Sequence, residues 1–256
     1  MNKQILLVDI GNTTFDFDLL NGDNHFYEKI KITEKEKLIT YIKSIKNNLS
    51  DVFISSVNKS GKETLTTILS TEKIKYTLIT PSIMKEYALA NKYNISNTDY
   101  LGCDLFCDVI APNCDNCIII DLGTVGKILL LDKNKDFKGA SIFPDIEQFP
   151  KMMDASTDLL KNLSLNENPP TVSLKTDECI SSGSILGMCA LISGLIHRIE
   201  NEYSLKNEPI YLTGGCSNYI EKFLPQFQIN NLILDKHLCL KGIQRIKEFI
   251  ERGKTK

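Results

Sequence analysis

The sequence predicts an α/β protein built from two related halves, each opening on a strand–turn–strand unit and continuing with alternating helices and strands. An internal repeat carries that expectation. The opening ILLVDIGNTTFDFDLLNGD returns as CIIIDLGTVGKILLLDKNKD, with an apolar run, Asp, an apolar residue, Gly, a nearby Thr, a second apolar stretch and a polar turn in the same order. Asp9 thereby matches Asp121, and Gly11 matches Gly123. Composition supports the same class: 256 residues, 42% hydrophobic and 24% charged, suffice for two lobes with cores of their own.

In chain order, the first repeat reads as two strands around a Gly-Asn-Thr turn, with a third strand near HFYEKIKI. A helix through EKEKLITYIKSIKN, a strand DVFISSV, a helix near KETLTTILS and a strand KYTLIT follow. The stretch from Pro81 to Thr98 reads as polar and irregular, and a helix is expected to begin near Gly102. The boundary between lobes is placed after residue 105, giving lobes 1–105 and 106–256. The second repeat leads into strand FKGASIF, a poorly periodic region from Pro144 to Leu174, and a long helix from about Cys179 to Tyr203. Strand PIYLTGG, a helix from Asn218, strand NLILD and a terminal helix through LKGIQRIKEFIERG complete the chain.

A net charge of -2 argues against general affinity for nucleic acid or anionic membrane. The apolar start, Ile5 to Val8, is cut at once by Asp9, too short for a signal-peptide core, and no apolar run reads as long enough to span a bilayer. The expected location is therefore the cytoplasm. Of eight cysteines, Cys103, Cys107, Cys114 and Cys117 lie close together in sequence. Cys103 and Cys107 stand one helical turn apart, where cysteine packs as a small hydrophobe, and this reading is preferred to a zinc site.

The chemistry concentrates in the two turns. An Asp at a strand end, before a Gly-containing turn, sets a carboxylate beside backbone N–H groups, a combination suited to magnesium-bound phosphate. One such turn is no more than a hairpin; two of them define a nucleotide cleft between lobes. Leu212-Thr213-Gly214-Gly215, at a strand end before a helix, adds a place where a base or phosphate can approach the backbone. Other nucleotide motifs fail. Ser60-Gly61-Lys62-Glu63 resembles a P-loop ending, but Ser56 stands where the first Gly is needed.

Six motifs in order are similar to those of the type III pantothenate kinases, members of the actin/Hsp70/sugar-kinase superfamily with duplicated ribonuclease H-like lobes. They are Asp9 to Thr13; Gly102-Cys103-Asp104-Leu105, for the family's G-A-D-R; Asp121-Leu122-Gly123-Thr124; Thr176 ahead of Cys179-Ile180-Ser181-Ser182-Gly183; Thr213 to Gly215; and Leu238-Cys239-Leu240-Lys241-Gly242-Ile243. The resemblance implies transfer of phosphate from ATP to the primary hydroxyl of pantothenate, the first step toward coenzyme A, by a homodimer. It implies Asp104 as general base. It places ATP at Asp9, Ile10, Gly11, Asn12, Thr13, Thr14, Phe15 and Asp16 and at Thr124, Gly214 and Gly215. Mg²⁺ would be held by Asp9 through water, and K⁺ or NH₄⁺ by Asp121. Pantothenate would meet Tyr93, Gly102, Cys103, Asp104, Leu105 and Thr176. Three departures stand out: Leu105 replaces the motif's Arg, Val125-Gly126-Lys127 replaces small and hydroxylated residues, and Gly139 to Asp145 retains little of a Gly-rich stretch. The alternatives are a nucleotide-binding regulatory relative without turnover, or a kinase of another small hydroxyl compound.

Overall fold

The computed structural model describes residues 3–96, 98–112 and 114–254 and divides into two compact units. The first comprises Met1–Asn113, Asn134–Phe137 and His237–Lys256; the second comprises Cys114–Lys133 and Lys138–Lys236. The expected split after residue 105 differs from these limits. Helix α4 (Cys103–Ile110) stays with the first unit because it packs on the terminal helix α8 (Leu238–Lys254), which also returns there.

In the first unit, strands β1 (Gln4–Ile10), β2 (Thr14–Asn21), β3 (Asn24–Lys31), β4 (Leu49–Ser56) and β5 (Tyr76–Leu78) form a sheet of order β3-β2-β1-β4-β5. β1 runs antiparallel to β2 and parallel to β4. Strand alternation sorts the residues of β1. Leu6, Val8 and Ile10 join Leu38 and Ile42 of helix α1 (Lys35–Ile45) and Leu65 and Leu69 of helix α2 (Lys59–Thr71) in one core. Leu7 and Asp9 point to the opposite face, where α8 packs against β1 and β4. Residues 81–90, expected to be irregular, form helix α3 (Pro81–Ala90). The Thr80 side chain caps it by accepting from the Ile83 N–H, and Pro81 opens its first turn, a start signal that outweighs weak periodicity.

The second unit repeats the topology. β6 (Cys117–Leu122), β7 (Val125–Leu131), β8 (Phe137–Pro144), β9 (Ile210–Thr213) and β10 (Leu232–Leu234) form a sheet of order β8-β7-β6-β9-β10, again antiparallel between the first two strands and parallel from β6 to β9 and β10. Within the region expected to be poorly periodic lies helix α5 (Gln148–Ser156). Helix α6 (Thr176–Tyr203) has 28 residues and begins three residues earlier than expected. It corrects the expectation about apolar runs, since by length and composition it could cross a bilayer. Its Ile185, Met188, Cys189, Ile192 and Ile196 pack against Ile118, Ile120 and Leu212 of the sheet, as in the core helix of a globular unit. Short helix α7 (Ser217–Ile220) follows β9.

Gly242 of α8 lies so close to α4 that an added Cβ would strike the Cys107 carbonyl. Gly→Ala inside a helix ordinarily gains stability. Here Gly242→Ala is expected to cost about 1–3 kcal/mol through overpacking, read as a lower urea midpoint; an unchanged or raised midpoint would contradict this packing.

Candidate active site

Asp9 is the penultimate residue of β1, opposite Asp16 on β2 and beside Ser55 on β4. The Ser55 hydroxyl donates to Asp9 Oδ1 at 3.0 Å, and the Cys239 thiol of α8 also hydrogen-bonds the carboxylate. Burial, then the negative charges of Asp104 and Asp16, push the Asp9 carboxyl up to about 7. Three carboxylates therefore feel one another at the end of this hairpin, a field that favours a divalent cation.

Helix α4 is pinned to the same strand end. The Ser56 N–H donates to Cys103 Sγ at 3.0 Å, the Cys103 thiol reaches the Ser56 carbonyl at 3.2 Å, and the Ser55 hydroxyl lies 3.3 Å from the same sulfur. Burial pushes the Cys103 thiol up to about 12, so it stays neutral. Ser55 thus links Asp9 to the first turn of α4, where Asp104 sits. Gly102 is the N-cap, and a Cβ there would meet the Asp104 carboxylate, so the glycine is what allows that side chain to fold back over the helix start. Beside this turn lies a hollow of about 300 Å³, walled by Val57, Leu78 and Met84 with Ser56, Lys62 and Cys103 among its other lining residues. Leu105 is half-buried. Cys103 and Cys107 are both buried in this unit, whereas Cys114 and Cys117 belong to the other. Among the described residues no group of three or more His, Cys, Asp or Glu is placed to hold a metal on its own.

The glycine turn is only partly available to a ligand. The Gly11 N–H closes the hairpin on the Thr14 carbonyl at 3.0 Å. Ile10 and Phe15 are 0% and 1% exposed, so their side chains serve the core, and the backbone is what they could offer a nucleotide. Asn12 and Thr13 are exposed. The Thr14 hydroxyl donates to Asp16 Oδ2 at 2.7 Å, and Lys29 pairs with Asp16 Oδ1 at 2.8 Å, so Asp16 is tied within its own hairpin. Tyr93, expected to meet pantothenate, is 8% exposed, its ring packed near Tyr87 and under the Lys135 ammonium. A large ring at a buried corner answers to packing as readily as to ligand, which spacing alone could not reveal.

In the second unit Asp121 takes the place of Asp9, opposite Lys127 on β7 and beside Thr213 on β9. Lys127 Nζ lies 2.5 Å from Asp121 Oδ2, the two side chains 16% and 13% exposed. Thr124 is half-buried, and its carbonyl accepts from the Gln148 side chain at 3.3 Å. Gly214 has φ +90°, and a Cβ there would collide with the Leu122 carbonyl, so this glycine serves the unit's own hairpin contact. Gly215 is exposed, and so is Thr176, the first residue of α6, in a separate hollow of about 350 Å³ with Ser164 and Lys175.

The fit of the implied ions differs between the hairpins. Mg²⁺ suits Asp9, whose carboxyl is pushed up first by burial and then by the negative charges of Asp104 and Asp16, the part that a divalent ion would offset. K⁺ does not suit Asp121 as it stands, because the Lys127 ammonium already lies on the carboxylate.

Among solved structures, a conserved putative Baf family transcriptional activator from Campylobacter jejuni is 20% identical, with TM-score 0.63 and coverage of 96% of this chain and 99% of that one. The activator of 2-hydroxyisocaproyl-CoA dehydratase from Clostridium difficile, with bound ADPNP, is 13% identical with TM-score 0.53 over 99% and 98%. These likenesses give the duplicated actin-like fold, and each half of this chain opens on an acidic hairpin. The profile of the type III pantothenate kinases matches residues 5–198, and the chain belongs to that family. The type III pantothenate kinase of Sulfurihydrogenibium sp. is 28% identical over 96% of this chain and 100% of its own length. That of Acholeplasma laidlawii is 29% identical over 94% and 97%.

Asp145, at the end of the depleted Gly-rich stretch, is 0% exposed and accepts from the Ile146 N–H at 2.6 Å. Burial pushes its carboxyl up to about 6, with Asp121 and Glu147 adding to the rise. A raised carboxyl supports the fold fully below its unfolded value near 3.8 and loses that support as pH climbs through 6. Asp145→Asn removes this loss. The stability difference between variant and wild type should therefore become more favourable to the variant by about 3 kcal/mol from pH 3.5 to pH 8. Parallel urea-melt curves against pH for the two proteins would contradict the assignment.

Proposed function

We propose that the protein phosphorylates pantothenate with ATP, giving 4′-phosphopantothenate and ADP at the entry to coenzyme A biosynthesis. The observation that carries this reading is the coupling of Asp104 to Asp9 through one hydrogen-bonded strand end, with α4 anchored by Cys103 to Ser55 and Ser56. Phosphoryl transfer asks mainly for positioning and charge compensation, and this arrangement offers both. The substrate hydroxyl oxygen forms the new bond to the γ-phosphorus as the bond to the β-phosphate oxygen breaks. Asp104 orients the hydroxyl and takes its proton late. Asp9 would hold a bound Mg²⁺, which would supply charge to offset the phosphates. Of the residues expected to meet the nucleotide, Asn12, Thr13 and Gly215 are exposed, and Asp9, Gly11, Thr14, Asp16, Thr124 and Gly214 are half-buried. K⁺ or NH₄⁺ at Asp121, implied by the resemblance, has the Lys127 ion pair against it.

The hollow beside α4 has the size and mixed lining for a small carboxylate-bearing alcohol, and Lys62 is a cation to meet the carboxylate where Leu105 leaves none. A homodimer in the cytoplasm completes this reading, supported by the family resemblance. A second reading, a nucleotide-binding relative without turnover, is favoured by Leu105 and is decided by the same assay.

With ATP, Mg²⁺ and pantothenate, phosphorylated product should be detected by mass spectrometry. Asp104→Asn should lower kcat at least 100-fold while nucleotide affinity stays within about threefold; near-normal turnover in the variant would remove Asp104 from the chemistry. No product in the wild type, with ATP still bound, would favour the second reading. Lys62→Met should raise KM for pantothenate about tenfold with kcat little changed, reading out a binding cation. An unchanged KM would place the carboxylate elsewhere.

A further inference from the structure

The two hairpins have the same strand topology but opposite charge logic. In the first, the residue facing Asp9 across the antiparallel ladder is Asp16, a second carboxylate. In the second, the residue facing Asp121 is Lys127. Directly opposed residues on adjacent antiparallel strands bring their side chains together without further design, and here Nζ lies 2.5 Å from Oδ2. Both side chains are largely withdrawn from water, so their attraction is weakly screened. β7 presses close to the chain beyond it: Gly126 leaves room for the Phe143 ring, which an added Cβ would strike. Lys127 therefore rises from a strand packed against Phe143, with its ammonium brought to the carboxylate where a monovalent cation is expected.

An alkylammonium carries the charge of K⁺ or NH₄⁺ and donates hydrogen bonds as NH₄⁺ does. We propose that the Lys127 ammonium is a tethered replacement for the monovalent cation at Asp121, so that this protein needs neither K⁺ nor NH₄⁺. Lys127 is in this sense a positioning residue: it fixes the charge and orientation of Asp121 and its turn without touching substrate. The activity arm of its test rests on the proposed kinase reading; the stability arm does not.

The test uses the full-length protein at constant ionic strength, comparing KCl and NH₄Cl with tetramethylammonium chloride. Wild type should show the same melting temperature within about 1 °C in all three salts, and turnover equal within twofold. Lys127→Ala should melt lower in tetramethylammonium and recover selectively in K⁺ or NH₄⁺, ions small enough to enter the vacated space; its turnover should fall at least tenfold and be rescued by the same ions. Lys127→Thr serves as a second variant should the alanine protein not fold. Selective stabilisation or activation of the wild type by K⁺ overturns the proposal without reference to any variant. So does a folded variant that gains nothing from either ion. If no pantothenate turnover exists at all, the kinase reading fails while the melting comparison still decides the role of Lys127.

Discussion

The constraint on which the rest depends is electrostatic: a carboxylate placed at the closed end of an antiparallel hairpin, flanked by a parallel neighbour, must be balanced by something. Strand pairing fixes what lies beside it. At Asp9 the ladder supplies Asp16 and the parallel strand supplies the Ser55 hydroxyl, and burial, then the charges of Asp104 and Asp16, push the carboxyl up to about 7. At Asp121 the ladder supplies Lys127 and the charge is closed within the protein. One duplicated backbone thus produces one hairpin whose buried Asp9 faces a second carboxylate and one whose Asp121 faces an ammonium.

Geometry at the first hairpin is held by small polar groups. Ser55 bonds both Asp9 and Cys103, so the end of β1 that carries Asp9 and the start of α4 share one anchor. Cysteine at this place has a consequence for function. Its neutral thiol both accepts from the Ser56 N–H and reaches the Ser56 carbonyl, fixing the helix start that carries Asp104. Gly102 and Gly242 matter for the same reason, one admitting the Asp104 carboxylate over the helix start and the other admitting α8 against α4.

Much of this was legible in the chain. The repeat around Asp9 and Asp121 anticipated a duplicated α/β architecture, which the two sheets of matching strand order bear out, and the Gly102 signal marked the start of α4. What escaped was non-local. Ser55 meets Asp9 across 46 residues through parallel pairing, which no local pattern reports, and Cys239 arrives from the terminal helix. Helices α3 and α5 escaped because neither has a clean apolar stripe, although Thr80-Pro81 marked the beginning of α3. Lys127 was visible as a departure, but only the β6–β7 register shows that it points at Asp121. The burial of Tyr93 was not legible either, because a motif spacing says nothing about exposure.

The central claim is that the negative field at Asp9 is completed by a metal-chelated nucleotide. The most direct measurement is calorimetric binding of a non-hydrolysable ATP analogue, with and without Mg²⁺, to wild type and Asp9→Asn. The account predicts at least tenfold tighter binding with Mg²⁺ in the wild type and loss of most of that gain in the variant. Equal Mg²⁺ enhancement in both proteins would contradict it.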